Sequence, residues 1–325
     1  MITRKVSPAL AAGCTVALKP SEETPLTALA LAELGRRAGL PDGVLNVVYG
    51  DAPAIGAEFA ASKAVAKLSF TGSTRVGQLL MRQCADTVKK LGLELGGNAP
   101  FLVFEDADLK KAAAGIVASG FRNSGQTCIC TNRVFCHEAI YERLVSALVE
   151  QVRLLRVGNG LDPDVTQGPL ITPEAVDKVE EHVRDALAKG ARAVVGGARL
   201  AGAAGNFFEP TVLAGADPTM RVYHEEVFGP VAPVFRFSDD AEAVAMANDK
   251  EYGLAAYFFT RDLGRAWRVA GEQLEFGMVG VNETQISTPE APFGGWKQSG
   301  LGLEHSKYAL DEFLHKKYVC MGVQE

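Results

Sequence analysis

Short apolar runs rich in β-branched residues alternate with longer stretches of helical periodicity, and this rhythm limits the fold more than any other feature of the chain. Residues 15–18, 44–48 and 65–70 read as strands, residues 26–37 as a helix, and a further helix follows residue 70. Parallel strands need a crossover between them, usually a helix. Residues 1–95 are therefore expected to form a partial dinucleotide-binding domain, a doubly wound sheet that is incomplete at its front. Thr24-Pro25 supplies a cap and a first-turn proline for the 26–37 helix, and Gly39 with Pro41 stops it.

The alternation restarts after Pro100. Residues 101–104, 134–136, 193–195, 231–237, 255–259 and 278–281 read as strands, and 108–121 and 139–155 as helices. A second α/β domain, the catalytic one, is expected over residues 96–302. Residues 303–325 are expected to hold a final helix and an apolar strand at 317–321; with no place in either core, that strand would serve oligomerisation by pairing with another subunit.

Composition removes several function classes. The net charge is −6 with both signs dispersed, unlike the basic footprint of a nucleic-acid binder or of a segment held to anionic lipid. No apolar run reaches the ~20 residues that a membrane helix needs. Cys14, Cys84, Cys128, Cys130, Cys136 and Cys320 follow neither a disulfide framework nor a zinc spacing, so a reducing compartment and no metal are expected. That compartment is the cytoplasm, or the mitochondrial matrix if an upstream segment carried a transit peptide.

Two residues carry chemistry. Cys128, in Gly125-Gln126-Thr127-Cys128-Ile129-Cys130, follows a helix directly and sits on a loop where a thiol can meet a substrate. Alone it reads as a small buried hydrophobe. Glu94, in Leu93-Glu94-Leu95-Gly96-Gly97-Asn98, stands between two leucines before glycines that permit close backbone approach. Alone it reads as a strand-end carboxylate facing water; desolvated, it is a competent base.

Together, at this spacing, the two motifs resemble the aldehyde dehydrogenase family. Lys19-Pro20-Ser21-Glu22, Phe70-Thr71-Gly72-Ser73-Thr74-Arg75-Val76-Gly77, Glu225-Glu226-Val227-Phe228-Gly229-Pro230 and Pro292-Phe293-Gly294-Gly295 continue the resemblance in family order. It implies Cys128 as the nucleophile that forms a thiohemiacetal and then a thioester, with hydride passing to a nicotinamide cofactor, and Glu94 as the base. The backbone N–H of Cys128 would be one oxyanion donor, and Gln126 and Thr127 would shape the loop. For the cofactor the resemblance implies Lys19 on the adenosine ribose, Glu22 near its 2′-hydroxyl, Gly72 and Ser73 at the pyrophosphate, and Leu95, Glu226 and Phe228 at the nicotinamide end. Glu22 favours NAD over NADP, because a carboxylate accepts from the 2′-hydroxyl and repels a 2′-phosphate.

Within the family the chain is most similar to succinate-semialdehyde dehydrogenases, through residues 121–130 and Met1-Ile2-Thr3-Arg4-Lys5. The resemblance implies that Arg4 and Arg122 bind a distal carboxylate, with Ser287 adding a hydroxyl, since an arginine fork can hold that group at two points. Glutarate semialdehyde would suit the same clamp. Cys130 is a candidate redox partner of Cys128, or else a packed thiol. Family chains begin upstream of Met1, with the first nucleotide-binding strands, part of the oligomerisation segment and a Trp-Asn-Phe-Pro stretch whose asparagine is the second oxyanion donor. The expectation is thus a truncated member of a dimer- or tetramer-forming family, and the rival reading is a non-catalytic binding or structural subunit.

Overall fold

The computed structural model describes residues 1–202 and 205–323, and the chain divides into two compact units. The first comprises Met1–Glu94, Thr288–Phe293 and Leu301–Glu325. It opens with α1 (Ile2–Ala11) and then alternates β1 (Val16–Leu18), α2 (Leu26–Arg37), β2 (Leu45–Val47), α3 (Ala52–Ala61), β3 (Lys67–Thr71), α4 (Thr74–Cys84) and β4 (Lys90–Glu94). The α2 and α4 helices each return the chain so that the next strand runs parallel to the last, giving the pairs β1–β2 and β3–β4. The register of the second pair sets Thr71 opposite Glu94. Ala60, Leu68, Leu80 and Cys84 form a small core beneath it.

The α2 helix has the bounds that its periodicity predicts, but its start differs in detail. Pro25 itself occupies the cap position at φ −80°, its carbonyl accepts from the Leu29 N–H, and no side chain caps this end. The α3 helix escapes the sequence reading because its small, nearly uniform residues leave little periodicity. Asp51 starts it by accepting from the Ala54 N–H at 2.8 Å.

The second unit comprises Leu95–Ser287 and Gly294–Gly300. Its elements are β5 (Ala99–Val103), α5 (Leu109–Gly120), β6 (Thr131–His137), α6 (Tyr141–Val152), α7 (Pro173–Ala188), β7 (Arg192–Val195), β8 (Thr211–Ala214), α8 (Arg221–His224), β9 (Val231–Phe237), α9 (Asp240–Asn248), β10 (Tyr252–Gly253), β11 (Ala255–Phe259), α10 (Leu263–Arg268), β12 (Met278–Val281) and β13 (Trp296–Lys297). Seven of these strands form one sheet in the order β12-β11-β5-β6-β9-β8-β7. Pairing is parallel except at the β7–β8 edge. A parallel sheet buried on both faces needs continuous apolar strands, and Phe101, Leu102, Val134, Phe135, Val234, Ala256 and Phe258 meet that need from inside the core.

The chain closes with α11 (Tyr308–Asp311), the expected final helix. Within this chain residues 317–321 form no strand; the strand expected there is one that pairs with another subunit. A strand needs a neighbour for its N–H and C=O groups, and among the described residues none pairs with this run; Tyr318, Val319 and Met321 are exposed.

Candidate active site

The α5 helix ends at Gly120, and the chain then makes a tight turn over Arg122–Gly125. Asn123, Ser124 and Gly125 take φ of 51°, 56° and 77°, the left-handed region that costs an ordinary residue roughly 1–2 kcal/mol. The surroundings hold this conformation in place. Ser124 Oγ donates to the Gly168 carbonyl at 2.8 Å, Gln167 Nε2 to Phe121 O at 2.9 Å, and Gln126 Oε1 accepts from the Ile171 N–H at 2.9 Å. The Cys130 N–H then reaches Thr127 O at 3.0 Å, closing a turn with Cys128 and Ile129 at its corners. Cys128 is half-buried there.

Two other segments of the same unit meet this turn through glycines. A Cβ on Gly125 would stand 2.0 Å from Gly229 O, and one on Gly97 would stand 2.5 Å from Cys128 O. Both approaches exclude any larger residue. The Gly97 N–H also points to Glu226 Oε1 at 3.4 Å. Burial pushes the Glu226 carboxyl up to about 7, against the opposing pull of Lys178 and of that N–H. Lys178 Nζ donates to the Glu226 carbonyl at 2.7 Å. Phe228, beside it, is exposed and takes a left-handed φ of 55°.

A buried amide network fastens these segments together. Asn132 Nδ2 donates to Asn98 Oδ1 at 2.7 Å, while Asn132 Oδ1 accepts from the Val227 N–H at 2.8 Å. Arg133, fully buried, gives its guanidinium to the carbonyls of Asn98, Met246 and Ala247. Burial lowers its pKa to about 10, so it remains charged at neutral pH. The sequence reading does not single out these three residues. The available signal is polar side chains at the entry of otherwise apolar strands, which must find partners.

In the first unit Glu94 ends β4 and is 4% exposed. Burial pushes its carboxyl up to about 8; Glu304 adds to the rise, while Lys5 and Arg4 oppose it. Its Oε2 has no hydrogen-bond partner among the described residues. Lys5 forms a short ion pair with Glu304 and donates to Thr71 Oγ1 at 2.6 Å. Arg4 lies over the Phe293 ring, 4.2 Å from its centroid, with Nη1 4.0 Å from Glu304. Arg4 is thus engaged with an acid of its own chain. Lys5 and Glu304 also escape the sequence reading, because their pairing spans almost the whole chain.

The cofactor candidates of this unit form two groups. Lys19 Nζ pairs with Glu22 at 2.8 Å and donates to Pro20 O at 2.6 Å, and the Lys19 hydrogen bond holds the Glu22 carboxyl below its usual range. Ser73 caps α4 by accepting from the Val76 N–H, the first turn holds no acid, and the Gly72 N–H reaches Glu94 O at 3.0 Å. An ammonium beside a carboxylate offers donor and acceptor to a sugar diol, and an acid-free helix N-terminus suits pyrophosphate. This donor set fits a dinucleotide.

In the second unit Leu95 is buried and its N–H reaches Ser299 O at 2.9 Å. The Arg122 side chain is exposed and Ser287 is half-buried. Cys130 is buried, with Sγ 2.7 Å from Thr127 Oγ1 and 3.5 Å from Arg122 O. Burial raises its thiol pKa, which favours the packed thiol over a reactive one. Among the described residues no group of His, Cys, Asp and Glu could hold a metal ion, and no helix is long and apolar enough to cross a membrane.

The sequence model of the aldehyde dehydrogenase family matches residues 1–319. A succinate-semialdehyde dehydrogenase [NADP(+)] of Escherichia coli is 57% identical over 323 residues, covering 99% of this chain and 67% of that protein. A glutarate-semialdehyde dehydrogenase of Pseudomonas putida is 54% identical, with 99% and 66% covered. The crystal structure of a succinate-semialdehyde dehydrogenase from Burkholderia pseudomallei superposes with a TM-score of 0.98 at 58% identity, covering 99% of this chain and 67% of that one. The chain spans about two thirds of the length of these relatives.

Proposed function

The chain belongs to the aldehyde dehydrogenase family, and from that premise we propose that it oxidises an aldehyde bearing a distal carboxylate, succinate semialdehyde foremost, to the corresponding acid. The observation that carries the reading is the construction around Cys128. A turn held in left-handed backbone presents the thiol, and glycines alone let Leu95–Asn98 and the Glu226 loop approach it.

The Cys128 thiolate adds to the aldehyde carbon, forming a C–S bond and moving the carbonyl π pair onto oxygen, to which the Cys128 N–H would donate. A bound nicotinamide dinucleotide would supply the acceptor for the hydride lost from this carbon, which would leave Cys128 carrying a thioester. Glu94 takes the proton of the water that attacks the thioester, and collapse expels the Cys128 thiolate and frees the acid. Only the ionised carboxylate can do this, and a group titrating at about 8 suits a base working near neutrality.

Lys19, Glu22, Gly72, Ser73, Leu95, Glu226 and Phe228 would hold the dinucleotide. The Glu22 carboxylate, ionised beside Lys19, supports NAD over NADP. Arg122, exposed and six residues before Cys128, is the better-supported anchor for the distal carboxylate, with Arg4 and Ser287 as further contacts. Glutarate semialdehyde is the second substrate of the same clamp.

The test is NADH formation by purified chain given succinate semialdehyde and NAD, with Cys128→Ala and glutarate semialdehyde alongside. Turnover by the Cys128 protein alone supports the reading. Silence from a folded chain, or undiminished turnover in Cys128→Ala, sinks it.

A further inference from the structure

We propose that Tyr257 is a positioning residue for the nucleophile: its phenol fixes the turn that carries Cys128, so that the Cys128 N–H faces the oxygen that gains charge during addition. This rests on the reading of Cys128 given above.

Tyr257 lies in the middle of β11, whose other residues, Ala255, Ala256, Phe258 and Phe259, are apolar. Phenylalanine would satisfy the packing, so the hydroxyl has another use. It donates to the carbonyl of Ile129 at 2.8 Å, with both residues buried. Ile129 is the residue after the nucleophile, in the turn closed by the Cys130 N–H and Thr127 O. Both corner carbonyls of that turn are therefore fixed, Cys128 O against the α-carbon of Gly97 and Ile129 O by the phenol.

The Ile129–Cys130 peptide is held at both ends, its carbonyl by the phenol and its N–H by Thr127 O, the carbonyl of the peptide that carries the Cys128 N–H, and it cannot rotate without losing one of these hydrogen bonds. The phenol cannot readily leave either. Its ring is flanked by Gly280, where an added Cβ would stand 2.9 Å from Tyr257 Cδ1, and by the Phe101 ring at 6.0 Å. Burial, together with the neighbouring sulfurs of Cys130 and Cys128, pushes the phenol far above its ordinary range. It therefore stays a neutral donor at every pH at which the thiol reacts.

Two probes of Cys128 separate positioning from plain stability, and neither needs the dinucleotide. p-Nitrophenyl acetate acylates the thiolate: the S–C bond forms, the carbonyl pair moves to oxygen, and its return expels p-nitrophenolate. Iodoacetamide alkylates the same sulfur with loss of iodide and passes through no oxyanion. In Tyr257→Phe, which keeps the ring, the ratio of acylation to alkylation rate is expected to fall about tenfold, since losing an oxyanion donor outright costs about 10²- to 10³-fold. Mass spectrometry of the Cys128 peptide reads the alkylation rate at that sulfur, circular dichroism reads the folded fraction, and a merely structural role would move both rates together.

A ratio within about twofold of wild type overturns the proposal, as does a wild type that is alkylated at Cys128 but never acylated. A lowered ratio in a chain that forms no NADH keeps the Tyr257 assignment and removes the dehydrogenase reading. NADH formation with an unchanged ratio does the reverse.

Discussion

The carbonyl oxygen of Cys128 lies where a side chain on Gly97 would begin, since a Cβ there would stand 2.5 Å from it. The same glycine turns its N–H towards Glu226 Oε1 at 3.4 Å. One residue without a side chain thus serves both the nucleophile turn and a ribose candidate. Gly97→Ala must push the turn away, and overpacking of this kind costs about 1–3 kcal/mol. The expected outcome is a folded protein with a slightly lower melting temperature and at least a tenfold loss of kcat, roughly what a displaced oxyanion donor implies. Unchanged turnover in Gly97→Ala would show that the turn does not need this approach.

Glu94 supplies a pH test with a defined sign. Its carboxyl is raised from 4.5 to about 8 in the folded chain, so folding favours the protonated form. Its contribution to stability is complete below 4.5 and is lost as the pH rises towards 8, by up to about 1.4 kcal/mol per pH unit. Glu94→Gln removes that loss. The variant should melt higher than wild type above pH 8 and about equally at pH 4.5, while kcat falls by about 10²- to 10⁴-fold. Parallel melting curves across that range would place the carboxylate in water.

How far the sequence leads depends on the reach of each interaction. The strands at 231–237, 255–259 and 278–281 are legible because an apolar run between turns is a local property, and the structure has them at those bounds. The helix at 26–37 is legible from its period and its stop. Strand β8, four residues between Pro210 and Gly215, is too short to carry a pattern. Around Cys128 and Glu94 the residue types point to the chemistry, but the supports do not. Asn132 meets Asn98 across 34 residues and Val227 across 95, and Lys5 meets Glu304 across 299. No periodicity in one chain displays pairs so distant.

The two arginines proposed for the carboxylate differ in their surroundings, and that difference is measurable. Arg122 has an exposed side chain, whereas Arg4 lies against Phe293 and near Glu304 and lowers the pKa of Glu94. Arg122→Ala should raise the KM for succinate semialdehyde about 10- to 10²-fold, the worth of a charge-assisted hydrogen bond, and leave an uncharged aldehyde of equal length untouched. Arg4→Ala should also move the alkaline rise of kcat to higher pH, because it removes a cation that favours ionised Glu94. If both variants shift KM and pH profile alike, the distinction fails.

The loop that carries Glu226 should make dinucleotide binding depend on pH. With its carboxyl at about 7, Glu226 passes from acid to carboxylate across neutrality, and only the carboxylate is a pure acceptor for ribose hydroxyls. Dinucleotide binding, followed by quenching of protein fluorescence, should therefore tighten as the pH rises through 7. Lys178 favours the ionised form and also holds the Glu226 carbonyl at 2.7 Å. Lys178→Met should shift the midpoint upward, since the opposing cation is gone, and weaken binding several-fold at neutral pH. Glu226→Gln should abolish the pH dependence and retain weak binding. A midpoint that survives in Glu226→Gln would assign the titration to another group and leave the Glu226 carboxylate without a role in holding the ribose.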